Sequence, residues 1–248
     1  MSSSFRTKSI DVEAHLSPIP EHLIGSLEQF TRRHYQLGSL SDFHEKILGI
    51  DKSGGLSIFY DPDNKIIGFT RICRQVLQLY DREISVYTGA TYHNPRNDLS
   101  LSAAKFCLSK AMRYKLQRPD EEMVYIAHAN TPLRYQFLAK LNPSLYPQPD
   151  VPTPKSVIEL VDQLKTLNQW QTHSRHSMLI SNQLPIIDHA ALNIDTRDLL
   201  TNYYLSLNPE YYKGTTLLVY LPINLANISL GIKQILSKMQ SSTQPTHA

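Results

Sequence analysis

Cysteine is scarce in this chain. The two present, Cys73 and Cys107, lie apart in apolar-leaning segments, without Cys-x-x-Cys spacing or a histidine cluster beside them. That argues against a disulfide scaffold or a thiol-built metal site and points to two buried thiols in a reducing compartment. A dense lysine or arginine stripe is also missing. The 25 basic and 22 acidic side chains leave a formal charge of +3, which is not the footprint of a nucleic-acid binder. No apolar stretch follows Arg6 and Lys8, so no secretory signal is expected and a cytoplasmic location is. One uncharged run, 215–232, has 18 residues but contains Pro222, Asn224, Asn227, Ser229 and Gly231. A spanning helix wants about 20 predominantly apolar residues, so a buried strand and helix is expected, with membrane contact as the alternative. No repeat period, Gly-x-Ser-x-Gly, P-loop or dinucleotide fingerprint occurs. His173, His176 and His189 lack metal-ligand spacing with carboxylates, and no metal is expected.

What is present is globular composition, 41% hydrophobic and 19% charged. Pro20 and Glu21 before Leu23, Ile24, Leu27 and Phe30 predict a helix, and Ser41 a second one running to residue 48. The period then changes to two. Leu56, Ile58 and Tyr60 predict a strand, Asp61-Pro62-Asp63-Asn64 a turn, and 65–79 a long strand. Residues 83–93 follow as another strand, with Ile84, Val86, Thr88, Ala90 and Tyr92 opposite Tyr87, Gly89, Thr91 and His93. These strands form an antiparallel meander. A helix over 99–117, with Leu101, Ala104, Leu108, Ala111 and Met112 inward, leads to a strand over 123–130 and a helix over 132–141. That unit implies a parallel pair. Five prolines between 142 and 154 mark the best boundary. The expected organisation is an α/β domain over 1–150 and a mostly helical region over 151–248. The latter has helices near 155–170, 195–207 and 223–239, a short strand at 217–221, and a frayed tail from 241.

The order of elements up to Pro143 resembles the GCN5-related N-acyltransferase (GNAT) fold, over about the first 150 residues. In that family the fourth and fifth strands splay apart and hold the acyl-CoA thioester, with the pyrophosphate on the first turn of the next helix. Such a turn has unpaired N–H donors and a positive dipole end. The family's glycine motif falls on Asn97-Asp98-Leu99-Ser100-Leu101-Ser102, where neither glycine is present. Ser100 and Ser102 offer hydroxyls, Arg96 a cation and Asp98 a repelling charge or an ordinary helix cap. The family's Asn after the fifth strand matches Asn130. Its acid tyrosine falls on Phe137, with Tyr135 two residues away. The resemblance implies acetyl-CoA or a longer acyl-CoA as substrate and no metal.

His93 and His128, near the ends of neighbouring strands, suit a general base, and the bland alternative is polar lining. Backbone donors near Thr91 and Tyr92 would bind the oxyanion. Cys107, mid-helix, reads as packing. The expected function is acyl transfer from a CoA or carrier-protein thioester to an unidentified amine or hydroxyl. The alternatives are an inactive GNAT-like binding module, or an effector-type protein whose C-terminal region engages a protein or membrane target.

Overall fold

The structure is a computed structural model and describes residues 5–13, 16–181 and 184–243. Its elements follow the punctuation of the chain. Pro20 and Glu21 open α1 (Glu21–His34), and Leu23, Leu27 and Phe30 are buried along one of its faces. Each such burial stabilises by about 1.5–3 kcal/mol. Ser39 Oγ accepts from Asp42 N–H at 3.0 Å while the Asp42 carboxylate accepts from Ser39 N–H at 3.2 Å. This reciprocal cap starts α2 (Leu40–Asp42), which widens into a π-helical turn at Phe43–Leu48. The cap is therefore Ser39 and not the expected Ser41, because Asp42 can close the box only on a residue three positions earlier.

β1 (Arg6–Val12), β2 (Gly54–Tyr60), β3 (Ile66–Leu79) and β4 (Arg82–His93) pair antiparallel in sequence order. In the β2–β3 turn Asn64 has φ 61°, a left-handed conformation that Asn tolerates, and Asp61 Oδ1 accepts from Lys65 N–H at 2.8 Å. α3 (Ser100–Gln117) carries the chain to β5 (Glu122–Ala129), which lies parallel to β4. Thr131 then caps α4 (Pro132–Leu141), accepting from Arg134 N–H at 3.2 Å, with Pro132 in the first turn. Along α3 the buried residues are Ala103, Ala104, Phe106 and Ala111. The stripe is rotated from the expected one, and Met112 is 36% exposed.

The C-terminal half supplies α5 (Lys155–Leu167), β6 (Leu179–Ile180), α6 (Leu199–Leu207), β7 (Thr216–Pro222) and α7 (Leu225–Thr243). It is mostly helical, as expected, but β7 lies antiparallel along β5 and completes a seven-stranded sheet of order β1-β2-β3-β4-β5-β7-β6. The uncharged run becomes β7 and the first turns of α7, with Leu217, Leu218 and Val219 fully buried. No helix among the described residues is long and apolar enough to cross a membrane. α7 continues through Thr243, beyond the expected fraying point, and the remaining tail lies outside the described residues.

Side-chain parity fixes the two faces of the sheet. Tyr92 stacks on Phe69 (5.1 Å) and meets Tyr35 edge-on just beyond α1. Tyr87, of opposite parity, packs against Tyr114 of α3 (5.5 Å). α1 and α5 cover the first face, and α3, α4 and α7 the second, with α6 against α4.

Candidate active site

β4 and β5 do not stay paired. Their parallel ladder runs from Ile84–Glu122 to Gly89–Ala127 and stops, while β4 continues to His93 along β3 and β5 to Ala129 along β7. The gap beyond Gly89 and Ala127 is the centre of the candidate site. Gly89 forms its vertex, since a Cβ there would stand 2.0 Å from Tyr125 Oη. The Tyr125 ring fills that space, its hydroxyl 3.4 Å from Cys107 Sγ. Burial holds this phenol well above its usual pKa range and pushes the Cys107 thiol up as well.

Pairing also fixes which β4 amides face the gap. Asn94 N–H donates to Ile67 O at 3.0 Å, whereas His93 N–H donates away from β3, to Tyr35 Oη at 2.9 Å. Tyr35 in turn donates to His93 O at 3.0 Å. Strand alternation, unbroken in register with β3, turns the Thr91 N–H toward the gap and the Tyr92 N–H toward β3. Of the two expected oxyanion donors, only Thr91 is therefore directed correctly.

Two cavities flank the gap, one on each face. On the α3 face a cavity of about 440 Å³ is bordered by Thr91, His93, Arg96, Asn97, Ser100 and Asn130. These expected residues are brought together, with Asn130 joining the 91–100 segment from the end of β5. Arg134, Lys140 and Lys238 add a basic wall. On the α1/α5 face a cavity of about 520 Å³ is bordered by His128, Trp170, Lys52 and Arg71. His93 and His128 do not form a pair, because strand parity sends them to opposite faces. His93 Nδ1 meets Asn94 O at 2.9 Å, which leaves Nε2 as the acceptor. Burial, the largest influence, holds its pKa below the usual histidine value. His128 packs edge-on to Trp170, with ring centres 4.9 Å apart.

The remaining candidates lie elsewhere. Tyr135 is fully buried and its hydroxyl donates to Pro147 O at 2.9 Å, so the phenol is turned away from the gap. Phe137, where the family has its tyrosine, borders the α3-face cavity under the Lys238 ammonium (4.1 Å). Ser102 is half-buried on α3 and is not part of that cavity's wall. Asp98 Oδ1 accepts from Ser100 N–H at 2.9 Å, so a carboxylate holds the first-turn donor that a phosphate would use. Arg96 is exposed, 3.9 Å from Asp188. Sequence reasoning missed Tyr125, Arg134 and Trp170. Gly89, two residues past the position that Tyr125 opposes in the ladder, was the one readable sign of a large neighbour.

No family model matches the chain, and no curated protein matches it in sequence. Among solved structures, a GNAT family N-acetyltransferase (YhbS) from Escherichia coli in complex with CoA is 11% identical, with 55% of this chain and 70% of that one covered and a TM-score of 0.34. AtaT complexed with acetyl-methionyl-tRNAfMet is 11% identical over 63% of this chain and 99% of that one, with a TM-score of 0.34. A structure described as a bacterial toxin is 10% identical over 98% and 99%, again with a TM-score of 0.34. Overlap this loose carries no weight by itself. The GNAT-like character of the fold stands on the strand order, the parallel β4–β5 pair and their divergence.

Proposed function

We propose that this protein transfers an acyl group from a CoA or carrier-protein thioester to an amine or hydroxyl. The observation that carries the reading is the parting of β4 from β5 between two cavities, with the Thr91 amide directed into the gap. A thioester entering from the basic α3 face would place its carbonyl oxygen against the Thr91 N–H. An acceptor would enter from the opposite face, where His128 suits removal of its proton as the nitrogen or oxygen attacks the carbonyl carbon. The tetrahedral intermediate then expels the thiolate back toward the α3 face. Tyr125, whose ring reaches Gly89 at the vertex, is the candidate phenol for returning a proton to sulfur.

A second reading, a GNAT-like module that binds without transferring, is favoured by the Asp98 carboxylate on Ser100 N–H and by the missing glycines. Isothermal titration with acetyl-CoA, then with a long-chain acyl-CoA, separates the two, followed by an acceptor screen. Saturable binding is expected, weakened roughly fivefold in Arg96→Ala through loss of one charge-assisted contact worth about 1 kcal/mol. His128→Gln should bind the thioester normally and lose turnover. If neither thioester binds, CoA-dependent transfer is ruled out. Binding without turnover on any acceptor favours the second reading.

A further inference from the structure

Beside the α3-face cavity lies a second one, between α3, α4, α7 and the β5–β7 edge. Its volume is about 110 Å³ and its wall is aliphatic, formed by residues such as Leu108, Leu138, Leu221, Ile228 and Ile235. One charged group is set in that wall. Arg134 is 7% exposed, and its buried Nε and Nη1 have no hydrogen-bond partner among the described residues. The guanidinium has the Tyr125 hydroxyl as a hydrogen-bond partner and stands near the Cys107 thiol; both groups are neutral, so neither balances its charge. The ion pairs of this region go elsewhere, Arg96 to Asp188 and Lys140 to Asp198. Asp98, the one carboxylate on the adjoining cavity, is engaged by the Ser100 amide.

A buried cation with no anion is strongly unfavourable, and a guanidinium cannot shed its proton to escape the cost. Among the described residues no carboxylate stands against it, and a bound anion would supply the missing charge. Its chemistry is constrained from two sides. Arg134 borders both cavities, so an anionic head approaches the guanidinium from the polar side, and a shift of the side chain within its wall brings the buried Nε and Nη1 to it. The rest of the ligand must suit aliphatic walls. The volume, somewhat below the roughly 150 Å³ of an apolar cavity that takes benzene, limits that body to about six carbons. We propose that Arg134 and the cavity under α7 form a binding site for a small amphipathic carboxylate, its head on the guanidinium and its short apolar chain against α3, α4 and α7. The site needs neither CoA nor an acceptor to form, although its polar side is the cavity assigned above to the thioester.

Hexanoate is the probe, with 1-hexanol and inorganic phosphate at equal concentration as controls. Hexanoate should raise the melting temperature in a concentration-dependent manner and give a saturable titration, while the two controls shift nothing. Arg134→Met, which replaces the unbalanced charge by an apolar chain of similar length, should weaken hexanoate at least tenfold. It should itself melt higher than the wild type by about 2–4 °C. Gly231→Leu keeps Arg134 and fills the cavity from α7, where a Cβ meets only Leu108 at 3.5 Å. It should retain the fold by circular dichroism and lose hexanoate. A shift with 1-hexanol equal to that with hexanoate, or one with phosphate equal to it, would overturn the proposal. So would undiminished hexanoate binding by Arg134→Met. Failure of acetyl-CoA to bind leaves it standing.

Discussion

Arg71 is 2% exposed, and its guanidinium reaches five backbone carbonyls: Leu48 (2.5 Å), Gly49 (2.9 Å), Lys52 (2.5 Å), Gly55 (3.3 Å) and Ile72. No carboxylate is needed, because carbonyl dipoles share the charge and the forked donor geometry matches their spread. The same side chain pins the loop that carries Gly49, Asp51 and Lys52 along the His128 cavity. Arg71→Met strands several buried acceptors, each costing about 1–3 kcal/mol unless water reaches it, so a loss of roughly 3 kcal/mol or more is expected. Arg71→Lys should recover only part, since three donors on one nitrogen cannot span carbonyls on both sides of a loop. Urea midpoints measure this, and a loss below about 1 kcal/mol, the ordinary cost of a point change, would count against the hub role. Arg134 is similarly buried but differs from Arg71 in that two of its donor nitrogens have no partner among the described residues.

Between β4 and β5 the fold depends on one absent methyl group. Gly89 leaves room for Tyr125, whose Oη and Cζ would lie 2.0 and 2.7 Å from a Cβ. Gly89→Ala must expel the ring or force the strands apart, at a cost of about 1–3 kcal/mol for overpacking. Tyr125→Leu alone leaves a void. Combined, the two changes should be less harmful than their sum, with a favourable coupling near 1 kcal/mol in a double-mutant cycle. Additive effects would show that ring and glycine do not share this space. The elements here were readable because each carries a local signal. Asp61-Pro62-Asp63-Asn64 marks the turn, period-two alternation marks β4, and Thr131-Pro132 marks the start of α4. Two features left no local trace. The partner of 217–221 lies some ninety residues upstream, and nothing in its apolar composition names β5 as that partner. Arg134, in the first turn of a short helix, reads as an exposed cation; it is enclosed where α7 packs across α3 and α4 beside Tyr125. The cluster of Thr91, His93, Arg96, Asn97 and Ser100 was legible because a strand end and the following helix start place them together, and Asn130 joins it because β5 lies parallel beside β4.

At the scale of the whole molecule, the proline-rich stretch at 142–154 joins two regions that share one sheet. β5 is bonded to β4 on one side only as far as Ala127, and on the other side Val124–Ala129 is paired throughout with Pro222–Leu217. The Tyr204 hydroxyl of α6 donates to Ala129 O at 2.9 Å, and Tyr146 exchanges backbone bonds with Tyr220 at 2.9 and 2.7 Å. α7 roofs the groove between α3 and α4. Removing residues 151–248 would therefore bare the full edge of β5 and the apolar side of α3 together. An unprotected central strand with an apolar flank is an aggregation template. The fragment 1–150 should accordingly elute as large aggregates in size exclusion and lack a cooperative melt, whereas the full chain gives one transition. Supplying 151–248 as a separate chain during refolding should restore solubility if β7 pairing is the missing contribution. A monomeric fragment 1–150 with its own sharp transition would mean that the sheet is complete in its stability at β5. β7 would then be an addition to the fold, and the carboxylate site under α7 would belong to a separable cover.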